Sequence, residues 1–91
     1  MGQNCNQYQA KNIKYNIIFT SEKDNITIIL EPKDTIKKLI YLYLKEIKFF
    51  DYDSLSSKMF FCFEGNLIDT NSQDIISSYM KNFSEVNVFY I

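Results

Sequence analysis

The chain has 91 residues, of which 46% are hydrophobic and 16% aromatic, with ten basic and eleven acidic side chains and a net charge of -1. That length supports one compact domain, able to bury roughly 60% of its unfolded surface, and leaves no room for a second. All ten basic residues are lysines and there is no histidine, so no basic field exists for phosphate backbones or acidic membranes, no guanidinium fork, and no imidazole to act as general base or metal ligand.

Residues 1–13 open with "MGQNCNQYQAKN", polar and Gln/Asn-rich without hydrophobic period, which predicts a flexible tail or an arm that orders on a partner. Residues 14–91 are the expected domain. Gly2 stands where N-myristoylation requires it and Cys5 where a palmitate would add the second anchor, although Asn6 departs from the Ser or Thr that the acceptor pattern prefers. Acylation at Gly2 and Cys5 is the sole route to a membrane in this reading. The N-terminus has neither the apolar stretch of a secretory signal nor the arginines of a mitochondrial presequence. Only Cys5 and Cys62 are present, far from the density of disulfide-stapled secreted domains. The expected location is intracellular and cytoplasmic.

From Lys14 two β-branched runs, "KYNIIFT" and "ITIILE", flank the polar stretch Ser21 to Asn25 and predict an antiparallel strand pair. Ile26, Ile28 and Leu30 share one face; in the first strand Tyr15, Ile17 and Phe19 form the more apolar set and are expected to face inward. Asp34 or Thr35 can cap a helix over about Thr35 to Lys48, with Pro32 just outside it. Ile36, Leu39, Ile40, Tyr43 and Ile47 make its core stripe at helical spacing. Tyr41, Leu42 and Leu44 then fall off that stripe. Either the loop "KFFDYDSLSSK" folds across them or they form a second contact surface.

"KMFFCF" is an apolar run of strand length, followed by a turn at Gly65 in "EGNLID". Residues 72–80 predict a short helical or turn segment, and "SEVNVFYI" alternates as a last strand reaching Ile91. Phe61, Phe63, Val86 and Val88 should meet Leu39 and Tyr43 in one core, leaving Phe60, Cys62, Asn87 and Phe89 on the outward face. The fold class is α+β, a β-grasp in which a mixed sheet of about four to five strands wraps one main helix.

Three segments in this order strengthen that reading. "EPKDTIKKL" resembles the helix entry of ubiquitin-like proteins, "FEGNLID" resembles their strand-end turn, and "SSYMKNFSEVNVFY" resembles the loop before their last strand. The resemblance covers about residues 14–91. It implies that the outward sheet face, here Phe60, Cys62, Asn87 and Phe89, is the one partners recognise. Modifiers of this family are attached through an extended tail ending in Gly-Gly, whereas this sequence ends "VNVFYI", so the resemblance is to non-conjugated members. Two rival readings remain: a modifier whose glycine tail lies beyond these residues, and a lipid-anchored membrane adaptor.

No catalytic, metal or cofactor constellation is expected. Cys62 lies in a predicted strand as a small hydrophobe, Asp51 and Asp53 lack the ligand number of a calcium loop, and two glycines cannot build a phosphate loop. Outward aromatics without a basic groove do not fit nucleic acid. The expectation is a non-enzymatic protein-protein interaction module, a structural or adaptor subunit that meets larger protein neighbours through its outer sheet face, Phe60, Cys62, Asn87 and Phe89, and through its outer helix face, Tyr41, Leu42 and Leu44.

Overall fold

A computed structural model describes residues 13–91; except for Ile13, the tail expected over 1–13, with Gly2 and Cys5, lies outside the described residues. β1 (Tyr15–Thr20) and β2 (Asn25–Leu30) form an antiparallel hairpin with Tyr15 opposite Leu30 and Thr20 opposite Asn25. Its turn is closed by the Ser21 side chain, whose Oγ accepts from the amides of Lys23 and Asp24 at 3.2 and 3.3 Å, a hydroxyl standing in for a backbone acceptor. Ile17, Phe19, Ile28 and Leu30 are buried and Tyr15 and Ile26 are half-buried against them, so the preferred strand register is the one adopted.

α1 (Ile36–Glu46) begins after Thr35, whose Oγ1 accepts from the Lys38 amide at 3.1 Å. The two preceding free amides, Ile36 and Lys37, donate to the carbonyls of Asp74 and Ser72, each at 2.9 Å. The helix start is thus saturated by a cap and by a distant loop, which pins that loop to the helix. The helix ends at Glu46, short of the expected Lys48. Lys48 takes a left-handed conformation (φ 61°), its amide bonding to the Lys45 carbonyl and the Phe49 amide to that of Leu44 at 2.9 Å, the paired bonds of a Schellman end formed here without glycine.

The segment read as a loop is partly helical: a 3-10 turn at Tyr52–Ser54 runs into α2 (Leu55–Lys58) and straight into β3 (Met59–Phe63). Part of the outer helix face is covered by this segment and not by a partner. Leu44, expected to be a contact residue, is only 2% exposed and shares the core with Leu55 and Met59. The segment after the helix folds across it because Leu55 supplies an apolar contact there that a polar loop would lack. Leu42 is half-buried against the core and Ile47 likewise; Tyr41 alone of the three is exposed.

β4 (Asn66–Leu67) follows β3 through Glu64 (φ 51°) and Gly65 (φ 81°), two successive left-handed residues that suit the right-handed twist of a tight hairpin. Open space surrounds the position of a Cβ at Gly65, so glycine serves the backbone angle and not a close contact. A 3-10 turn at Ile76–Ser78 precedes β5 (Glu85–Tyr90), which lies parallel to β1 and antiparallel to β3. The sheet order is β2-β1-β5-β3-β4. Ile91 lies outside β5, although its amide still reaches the Lys58 carbonyl at 2.9 Å.

The helix packs across the inner face, where Phe61, Phe63, Val86 and Val88 share one buried cluster with Leu39 and Tyr43. Tyr43 stacks on Phe19 with centroids 4.3 Å apart, and Phe61 meets both rings edge-on, the arrangement that aromatic quadrupoles favour. The Tyr43 hydroxyl is 3.1 Å from that of Tyr90. Burial, then the Tyr90 hydrogen bond, pushes the Tyr43 phenol above its ordinary range.

An acid whose folded pKa is raised holds its proton longer when folded than when unfolded, so stability is fully present below the unfolded value near 10 and falls as pH rises above it. Tyr43→Phe is expected to cost about 0.5–1.5 kcal/mol at neutral pH through the lost hydrogen bond, and to flatten the alkaline decline. Urea melts between pH 7 and about 11 measure both; an unchanged alkaline slope would show that another group governs it.

Candidate protein-binding face

β-strand alternation sends every second residue of the sheet away from the helix, and the cross-strand register places those residues in rows. Phe60 of β3 is opposite Phe89 of β5. Their rings stack at 5.1 Å with planes 21° apart, and they are 40% and 46% exposed. The next row contains Asn25, Thr20, Asn87, Cys62 and Leu67, one from each strand. Leu67 is 68% exposed, Asn87 is exposed and Cys62 half-buried. Beyond it lie Thr27, Ile18 and Glu85.

The four residues expected on the outward face are therefore adjacent. Ile18 is separated from the phenylalanines by that middle row, on the Glu85 side, and adds nothing to their patch. Leu67 does, and sequence reasoning misses it: the left-handed pair Glu64-Gly65 folds β4 back on β3 and sets Leu67 beside Cys62. The only signal is Gly65, because a two-residue turn there fixes the pairing of the residues after it.

The helix residues do not form a second site together. Tyr41 stands on the rim of a cleft of about 710 Å³ bounded by α1, the Tyr52–Lys58 segment and the chain after β4. Its ring is 6.2 Å from that of Tyr52, and buried Leu44 lies in the floor. Leu42 faces a different, shallow groove beside Ile28 and Ile29 of β2. Phe60 and Leu67 also line the cleft, so the outward patch continues around the β4 edge of the sheet. Charges are spread: among the described residues the ion pairs are Lys14 and Lys33 with Glu31, and Lys38 with Asp34. The Lys14 hydrogen bond, aided by both lysine charges, holds the Glu31 carboxyl below its usual range; this lies at the helix entry, away from the patch. No described helix is long and apolar enough to cross a membrane, and no group of three or more Cys, Asp or Glu side chains among the described residues could hold a metal ion.

No protein-family model matches the chain, and no curated protein does, but solved structures match it. A structure described as molecular mimicry of SUMO that promotes DNA repair is 24% identical with a TM-score of 0.63, covering 84% of this chain and 90% of that one. An N-terminal ubiquitin-like domain determined in solution matches with a TM-score of 0.62 at 14% identity, covering 86% of this chain and 75% of that one. A protein of Arabidopsis thaliana determined from evolutionary couplings and sparse NMR data matches at 0.64 and 14% identity, covering 86% and 87%.

The chain has a ubiquitin-like fold. Within that fold the phenylalanine pair lies on β3 and β5 along the sheet's outward side, the strands on which the resemblance set the binding face. Phe60, Phe89 and Leu67 are exposed side by side on adjacent strands and line the same side of the sheet, whereas other exposed hydrophobic side chains, among them Ile29, Phe50 and Phe83, lie elsewhere on the surface.

Proposed function

We propose that this ubiquitin-like domain is a non-enzymatic protein-protein interaction module, a small structural or adaptor subunit of a larger intracellular assembly, and that its outward sheet face makes the contact. The observation that carries this reading is the stacked, half-exposed Phe60–Phe89 pair with Leu67 and Cys62 beside it. Two aromatic rings held rigidly by adjacent strands lose little conformational freedom on binding and offer the kind of anchor that dominates interface energetics. Exposed apolar side chains contiguous across two strands and a hairpin edge mark contact surfaces more often than idle surface. With ten lysines against eleven carboxylates the chain has no excess of positive charge, which suits a protein neighbour better than nucleic acid. The test is whether Phe60→Asp, in a chain that stays folded, loses the proteins that co-purify with the native one.

A further inference from the structure

The sheet ends at β4 with backbone groups unused. In the antiparallel pair of β3 and β4, Cys62 is opposite Leu67 and Phe63 opposite Asn66, and the Ile68 amide donates to the Phe61 carbonyl at 2.8 Å. Hydrogen-bonded and non-bonded pairs alternate along such a ladder, so the pair of Cys62 and Leu67 is a non-bonded one. The amide and carbonyl of Leu67 therefore point off the free edge, and neither bonds to a loop or turn among the described residues.

That edge borders the cleft of about 710 Å³, a size within the roughly 300–1,000 Å³ of sites that enclose small ligands. Its floor is apolar: Ile40, Leu44, Leu55, Met59, Phe61 and Ile68 are all buried. Lys37, Asp53 and Asp69 around it carry both signs of charge. The sheet's other edge, β2, has beside it the shallow groove in which Ile28 is the one buried side chain.

We infer that an extended segment of a partner adds to the sheet beside β4, one of its residues exchanging both backbone hydrogen bonds with Leu67 and an adjacent apolar side chain entering the cleft. The inference rests on the reading of the outward face as the contact surface and carries that contact round the sheet's edge, where Phe60 and Leu67 border patch and cleft alike. Strand alternation supplies both placements. The residue paired with Leu67 points outward and lengthens the row of Cys62 and Leu67, while its neighbours turn inward, on the side of buried Ile68. Main-chain bonds hold such a segment and the cleft selects its side chain. A leucine, methionine or phenylalanine suits the floor, whereas a charged side chain there would be desolvated against apolar atoms.

The probe is acetyl-Thr-Leu-Thr-Leu-Thr-amide, titrated into the nitrogen-15-labelled full chain up to about 5 mM, where even a few contacts give measurable binding. NMR is expected to show shift changes at the Leu67 amide and at Tyr41, Tyr52 and Asp69 around the cleft, with Thr27 and Ile29 of β2 unmoved. N-methylation of the central threonine removes the donor to the Leu67 carbonyl and should weaken binding by about tenfold. Leu67→Ala and Leu67→Pro both delete the leucine side chain, but only proline also deletes the amide, a loss that an edge strand tolerates. The proline variant should therefore bind several-fold more weakly than the alanine variant while circular dichroism stays native. The N-methyl comparison needs no variant, so it decides even where Leu67→Pro unfolds.

No binding up to about 5 mM, shift changes confined to Thr27 and Ile29, or an N-methylated peptide that binds as tightly as its parent would each overturn the inference. If one of these results accompanies a Phe60→Asp chain that still loses its native neighbours, the outward face stands as a contact surface and only the added strand is removed. If Phe60→Asp also retains those neighbours, both readings fall.

Discussion

Truncation of Leu39 to alanine is expected to lower the unfolding free energy by about 2–5 kcal/mol, the range for a leucine removed from a packed interior. Leu39 is fully buried in the cluster that contains Phe61, Tyr43 and Val86. The stacked and edge-on rings around Tyr43 hold one another in place, so the cavity collapses little and the upper half of that range applies. Leu44→Ala should cost a similar amount, which separates the structure from the alternative in which Leu44 waits on the surface for a partner. Urea denaturation of both variants measures the differences. A loss below about 0.5 kcal/mol at Leu44, typical of exposed positions, would mean that the segment carrying Leu55 does not cover the helix.

Substitutions at the outward ring pair should change assembly and not stability. Phe60→Asp and Phe89→Asp each replace a ring that points away from the core, so the isolated domain should stay folded, with a stability change within about 1 kcal/mol from lost strand propensity and ring stacking. Against a partner, the same carboxylate would be desolvated without a counter-charge at the centre of the patch, at a cost of several kcal/mol. Co-purification with native neighbours should therefore be abolished by either substitution. Retained co-purification in both variants would move the contact to the cleft bounded by Tyr41 and Tyr52. Loss of the folded circular dichroism spectrum would show instead that the rings support the domain itself.

The strands and the main helix are legible in the sequence because their signals are periodic. Alternation in "KMFFCF" and "EVNVFY" separates Phe61, Phe63, Val86 and Val88 from Phe60 and Phe89, and Thr35 marks the helix start. Placement of Tyr15, Ile17 and Phe19 inward comes from the more apolar of two faces. The features that escape depend on contacts between distant segments. Leu44 lies one step off the helix stripe and is core only because Leu55, after a polar stretch, folds back over it. The helix end is misplaced because Lys48, without glycine, adopts the left-handed turn that stops it. β4 has two residues, too few for any period, and Leu67 is overlooked with it. The outer helix face dissolves as a site for the same reason, since Tyr41 and Leu42 flank opposite sides of a helix whose orientation a sequence stripe fixes only coarsely.

Whether protein covers the outward sheet face in the working state can be read from the alkylation rate of Cys62. This thiol is half-buried in the row next to the phenylalanine pair, reachable by a small reagent in the isolated chain and enclosed once a partner sits on that row. Iodoacetamide labelling of the isolated chain and of the natively purified assembly, measured at the Cys62 peptide by mass spectrometry, gives the two rates. Labelling slower by at least about tenfold in the assembly is expected, as for a residue inside the dry centre of an interface. Equal rates in the two samples would contradict a covered face.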